Sequence, residues 1–125
     1  MPTTIMIVDD AEIVRKLVRV ALKGAVDTDF LEAQDATEAL KIAREHRGMI
    51  HLLLSDVVMP GRIGGIELAA RLCHAHPETK VLLMSGYAPD VLTIKPEWNF
   101  VQKPFAASEI REIVRSILDE DSLAA

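Results

Sequence analysis

One alternation constrains this chain more than any other feature. Short apolar runs, too brief for helices, take turns with longer segments of helical period. The short runs cover residues 5–8 (IMIV), 30–33 (FLEA), 52–55 (LLLS), 81–84 (VLLM) and 100–101 (FV). Three of them are continuous rather than alternating, as in strands covered on both faces. Between them, residues 12–23 place Ile13, Leu17, Val20 and Ala21 on one helical face, and Gly24 supplies a stop. Asp35 with Glu38 has the form of a capping box opening a helix to about His46. Residues 66–75 carry Leu68, Ala69, Leu72 and Cys73, and Pro77 ends that segment. Ile110, Ile113, Val114, Ile117 and Leu118 fall at the spacing of one buried stripe in a last helix. Strands alternating with helices predict an α/β fold, a parallel sheet with helices on both faces. Right-handed crossovers make it doubly wound. In such folds the working site lies outside the carboxyl ends of the strands.

The totals narrow the function. A chain of 125 residues, half of them hydrophobic, can bury a core as one domain without staples. We take 1–121 as that domain and 122–125 as a flexible tail. A net charge of −5 argues against wrapping nucleic acid, which demands clustered Lys and Arg. A lone cysteine, Cys73, allows no internal disulfide and reads as a small buried hydrophobe. No apolar run approaches a membrane span, and MPTTIMIVDD lacks the form of a signal peptide. A soluble cytoplasmic protein is expected, and Met1 suits a natural start.

The strand ends carry the chemistry. Asp9 and Asp10 follow the first run, Asp56 the third, Ser85-Gly86 the fourth and Lys103-Pro104 the fifth. Asp56 stands out because it interrupts an apolar run, and a buried carboxylate needs partners. Taken alone, Asp9 or Asp10 reads as a cap for the next helix, Ser85-Gly86 as a turn, and Lys103 as a solvated lysine. Taken together they converge on one sheet edge. Three close carboxylates call for a cation, and hard oxygen donors without His or Cys favour Mg²⁺ or a similar ion. Such an ion, with a lysine and a hydroxyl beside it, suits phosphoryl groups, and one carboxylate could be the nucleophile.

With these residues in place, the sequence resembles the receiver domain of two-component response regulators over essentially its whole length. IMIVDD, LLLSDVVMPG, VLLMSGYA and FVQKPF stand in that family's order and near its spacing. The resemblance implies a (βα)5 flavodoxin-like three-layer sandwich with strand order 2-1-3-4-5. It implies that Asp56 is the phosphoacceptor of a phosphorelay, supplied by a histidine kinase or histidine phosphotransfer protein. It implies that Asp9, Asp10, Asp56 and the backbone carbonyl of Val58 hold Mg²⁺, with Mn²⁺ or Ca²⁺ as substitutes in crystals. Ser85 matches the switch hydroxyl, Lys103 the phosphoryl-pairing lysine and Phe100 the aromatic that changes rotamer. Lys103-Pro104 matches a cis peptide bond, a form only about 5–6% of X-Pro bonds take. The domain is then a switch acting through partners, not an enzyme, with its downstream effector unnamed.

Two departures from the family pattern follow. The loop MPGRIGGIEL is one residue longer than the commonest form, with Gly65 aligned to the usual glycine. Only 17 residues separate Ser85 from Lys103, and Pro89 and Pro96 restrict them further. The helix after the fourth strand is therefore expected to be short, distorted or absent, and a monomer is favoured over a family-style dimer. Trp98 is expected to be a partly buried packing residue. Arg15, Lys16, Arg19 and Lys23 make the first helix basic, either as a solvated face or as a dock for an acidic partner. Three other readings fit less well. An aspartyl-phosphate phosphatase of the haloacid dehalogenase type favours an acid where Val58 stands. A flavin module needs a Ser/Thr/Gly-rich loop where DDAEIV stands. A degenerate receiver would not keep the full set of Asp9, Asp10, Asp56, Ser85 and Lys103.

Overall fold

The computed structural model describes residues 2–23, 27–87 and 94–124, the last five by backbone alone. Five strands are present: β1 (Thr3–Val8), β2 (Thr28–Ala33), β3 (Leu52–Asp56), β4 (Lys80–Ser85) and β5 (Asn99–Gln102). Among the described residues there are four helices, α1 (Glu12–Leu22), α2 (Ala36–Glu45) and α3 (Gly65–Ala75) between strands, and α4 (Ala107–Ala124) after β5. All strand pairs are parallel, in the order β2-β1-β3-β4-β5. This is the expected flavodoxin-like arrangement. The segment between β4 and β5, where a helix is expected to be short, distorted or absent, lies in part (residues 88–93) outside the described residues. The described parts of that connection, residues 86–87 and 94–98, contain no helix.

The continuous apolar strands divide their side chains between two cores, because successive residues point to opposite faces. Met6, Val8, Leu53, Val81 and Leu83 pack against Ala39, Leu68 and Leu72 of α2 and α3. Ile5, Ile7, Leu52, Leu54, Leu82 and Met84 pack against Val18 of α1 and Ile110, Val114 and Ile117 of α4. Ile113 and Leu118 flank that stripe, partly buried. Each fully buried aliphatic side chain contributes about 1.5–3 kcal/mol. Trp98 is partly buried against the first core, with the Lys95 ammonium 5.4 Å from its ring centre.

The caps follow the sequence in part. Asp35 accepts a 2.8 Å bond from the Glu38 amide and starts α2. Helix α1 ends at Leu22, with the Lys23 amide bonded to the Arg19 carbonyl. The expected stop, Gly24, lies outside the described residues. Arg111 of α4 reaches across to donate to the Ala21 carbonyl in the last turn of α1 at 2.9 Å.

The expected buried face of α1 is corrected by the structure at every position except Ala21. Ile13 is 75% exposed, Val20 60% and Leu17 40%. The buried residues are Val18, Ala21 and Leu22, with Val14 packed beside them. At 100° per residue, the two sets are halves of one apolar arc spanning roughly 200°. Periodicity locates such an arc but not the half that meets the sheet. The adopted rotation brings Arg15 and Arg19 over Glu32 of β2.

At the amino-terminal pole, the strands are tied by side chains as well as backbone. His51 Nδ1 accepts from the Thr4 amide at 3.0 Å, while the His51 amide donates to the Thr4 carbonyl. The His51 carbonyl accepts from the Lys80 amide. Thr79 Oγ1 donates to the Ile50 carbonyl at 2.7 Å, and Cys73 Sγ lies 3.6 Å from the Thr79 carbonyl it donates to. Cys73 is partly buried rather than buried as expected, packed at the edge of the first core, and that burial pushes its thiol above the usual range. No helix among the described residues is long and apolar enough to cross a membrane.

Candidate functional site

The site is built where β1 and β3 end side by side. Val8 pairs with Ser55, so the next residue of each strand, Asp9 and Asp56, emerges at the same level. Asp10 follows Asp9 and is exposed, whereas Asp9 is 1% and Asp56 9% exposed. One carboxylate oxygen from each of the three lies within 4.8 Å of the others. Ser85 ends β4, and Lys103 follows β5 across a cis bond to Pro104. The predicted convergence of Asp9, Asp10, Asp56 and Lys103 is thus present in space.

Lys103 Nζ donates to Asp9 Oδ2 at 2.7 Å and sits 3.5 Å from Asp56 Oδ1. Asp9 Oδ1 accepts from the Ala11 amide at 2.9 Å. The N-cap of α1 is Ala11, without a side-chain cap of its own, so neither Asp9 nor Asp10 is the N-cap. Burial holds the Asp56 carboxyl above its ordinary range; Lys103 pulls it down, while Asp9 and Asp10 push it up. Burial works against the charge of Lys103, but its bond to Asp9 and the attraction of Asp56 outweigh this and raise it. Three carboxylates against one ammonium leave two negative charges in excess. That imbalance and an all-oxygen donor set fit a small divalent cation.

The remaining predicted residues lie around this cluster. Ser85 is buried, and its Oγ accepts from the Tyr87 amide at 3.0 Å. Its own hydroxyl proton stays available to a new acceptor. Phe100, on β5 opposite Leu83, is partly buried against the α2–α3 core. Val58 lies in the β3–α3 loop with its side chain exposed. That loop is pinned at its far end by Gly65, whose amide donates to the Val57 carbonyl at 2.8 Å. A Cβ on Gly65 would stand 2.0 Å from the Asp56 carbonyl oxygen. Gly61 turns the loop with φ +106°, a conformation that favours glycine.

Two features escaped sequence reasoning. Arg15 does not face solvent: Nε bonds Glu32 at 3.3 Å, and Nη1 donates to the Asp9 carbonyl at 2.7 Å. Arg19 also pairs with Glu32. The acid in the otherwise apolar FLEA run was the available signal. Second, Val14 and Leu17 with Lys103, Pro104 and Phe105 line a shallow cavity of about 380 Å³ beside the site.

Comparisons with known proteins agree with this geometry. A family model described as the response regulator receiver domain matches residues 5–115. The chain is 33% identical over 121 residues to the sensor kinase CckA of Brucella abortus, covering 94% of this chain but only 13% of that protein's length. It is 31% identical over 121 residues to the chemotaxis protein CheY of Pseudomonas aeruginosa, covering 92% of this chain and 95% of CheY. The solved receiver domain of the hybrid histidine kinase CckA superposes with a TM-score of 0.78 at 34% identity, covering 92% of this chain and 98% of that one. The chain belongs to the response regulator receiver domains, the phosphoacceptor signalling switches of two-component systems.

Proposed function

We propose that Asp56 accepts a phosphoryl group from the phosphohistidine of a histidine kinase or histidine phosphotransfer protein, and that the acyl phosphate changes the partner-binding face. Receiver domains bind Mg²⁺ at an acidic pocket and interact with histidine kinases or phosphotransfer proteins. They are signalling switches rather than classical enzymes. The observation that carries the reading is the Asp56 carboxylate at its strand end, with Asp9 and Asp10 within 4.8 Å and Lys103 3.5 Å away.

Asp9, Asp10, Asp56 and the Val58 backbone carbonyl would hold Mg²⁺, which supplies positive charge to the phosphoryl oxygens; Mn²⁺ or Ca²⁺ takes the same donors. An Asp56 carboxylate oxygen attacks phosphorus in line with the histidine nitrogen. The P–N bond breaks, and its electron pair stays on the imidazole. Lys103 then leaves Asp9 for the phosphoryl group, and Ser85 donates its free proton to another phosphoryl oxygen. Phe100 repacks as β4 and β5 adjust. Moving such a switch from mostly inactive to mostly active takes roughly 5.5 kcal/mol of differential stabilisation.

The partner docks on the apolar strip of Ile13, Leu17 and Val20, which continues toward Pro104 and Phe105. A basic dock is the weaker reading, since Arg15 and Arg19 are engaged by Glu32. The unit 1–121 works as a cytoplasmic monomer, contacts neither nucleic acid nor membrane, and hands its signal to a protein effector. The test is beryllofluoride or acetyl phosphate with Mg²⁺. Wild-type protein should gain one phosphoryl group from acetyl phosphate, or bind one beryllofluoride, and Asp56→Asn neither; equal modification of both would refute the assignment.

A further inference from the structure

We infer that Arg15 and Glu32 form a strut that positions the metal-binding loop, making both positioning residues for the cation site. The inference rests on the proposed function, since it concerns the same cation. Asp9 is held from four directions. Its amide donates to the Ala33 carbonyl at 3.1 Å, Oδ1 accepts from Ala11, Oδ2 accepts from Lys103, and its carbonyl accepts from Arg15. Activation disturbs this set, because Lys103 must leave. What then fixes the loop is β2, through two adjacent residues. Ala33 takes the Asp9 amide directly, and Glu32 acts through the Arg15 guanidinium on the Asp9 carbonyl.

The chemistry of the strut is specific. A guanidinium is a rigid fork, able to serve Glu32 from Nε while Nη1 reaches the Asp9 carbonyl. A lysine carries the same charge at one point and cannot span both. Arg15 is mostly shielded, with 17% of its side chain exposed, so water competes weakly for these bonds. Glu32 is also paired with Arg19, so the anchor is held from a second side. Asp10 is exposed, and among the described residues its side chain makes no hydrogen bond or ion pair, so its carboxylate is aimed by the backbone of Asp9 and Ala11. Removing the strut frees that backbone to reorient. Residues that orient metal ligands typically change affinity 10–100-fold when removed.

The experiment measures Mg²⁺ affinity by titration, followed through the ¹H–¹⁵N signals of Asp9, Asp10 and Ala11. Wild type, Arg15→Met, Arg15→Lys and Glu32→Gln are compared, with thermal unfolding of each metal-free protein. Arg15→Met and Arg15→Lys should each bind Mg²⁺ about tenfold more weakly, and Glu32→Gln several-fold more weakly. The three loop signals should shift even before metal is added. Wild-type affinity in Arg15→Lys would show that charge alone matters and overturn the strut. So would unchanged affinity in both Arg15→Met and Glu32→Gln. If Arg15→Met does not fold, Arg15→Lys and Glu32→Gln decide the matter. A wild-type protein that binds neither Mg²⁺ nor beryllofluoride would instead refute the proposed function, so the two failures are distinguishable.

Discussion

Lys103 sits closer to Asp9 than to Asp56: its ammonium lies 2.7 Å from one carboxylate and 3.5 Å from the other. The lysine is shared between the acid it neutralises at rest and the acid beside which a phosphoryl group would form. Replacing it by Lys103→Met leaves a carboxylate cluster with no neutralising ammonium. At neutral pH the variant should lose about 2 kcal/mol in chemical denaturation. Mg²⁺ should restore much of it, since ligand at a hundred times its Kd adds about 2.7 kcal/mol. The raised pKa of Lys103 means its contribution is complete below 10.5 and is lost as pH rises through the folded value. The two proteins should therefore converge in strongly alkaline solution.

Asp56 gives the opposite pH behaviour. Its carboxyl is raised above the ordinary value of 3.8, so the folded chain holds this proton more tightly than the unfolded chain. Stability then falls as pH climbs from 3.8 through the folded value, and stays lower above it. Asp56→Asn removes the charge and should be more stable at pH 7, by on the order of 1 kcal/mol, or about 4 °C. The advantage should vanish at acid pH. Calorimetry of both proteins across that range measures it.

Gly65→Ala tests how tightly β3, the strand that ends at Asp56, is sealed against α3. The added Cβ would lie 2.0 Å from the Asp56 carbonyl oxygen, so helix or strand must move. The expected cost is about 2–3 kcal/mol by chemical denaturation. Acetyl phosphate labelling should slow as well. Gly61→Ala, with open space around its Cβ but φ +106°, should cost less and leave labelling near wild type.

Docking can be separated from chemistry. Leu17→Glu places a charge in the exposed apolar strip without touching the carboxylates. Phosphotransfer from a phosphohistidine partner should drop about tenfold. Labelling by acetyl phosphate, which needs no docking, should be unchanged. Equal loss with both donors would place Leu17 in the chemistry instead.

How much of this was legible depended on whether a residue answers to its neighbours in sequence or in space. The buried strands β1, β3 and β4 announce themselves because both faces need apolar residues. The stripe of α4 does so because one helical face needs them. Strand ends then locate Asp9, Asp56, Ser85 and Lys103 with no further information. The face of helix α1 was misread because its apolar arc is wider than the part that meets the core, and period alone does not choose the half. The adopted half buries Val18 and Leu22 and pairs Arg15 and Arg19 with Glu32. For the same reason Arg15 and Arg19 passed for a solvated basic face. Their partner is 17 and 13 residues away in sequence, a separation that no helical or strand period encodes.

The ties around His51 and Thr79 bear on where the molecule can yield. They fasten β1, β3 and β4 to one another at the pole opposite the carboxylates, with side-chain bonds added to the backbone ladder. The carboxyl-terminal pole instead holds glycine-bearing loops, like charges in excess and a lysine with two possible partners. The charge that the proposed phosphorylation would add to Asp56 would therefore act on a hinged plate rather than a floating one. Displacement should grow along β4 and β5 toward the site and die away toward His51. Slow amide exchange at Thr4, Lys80 and His51 in both signalling states would be its signature.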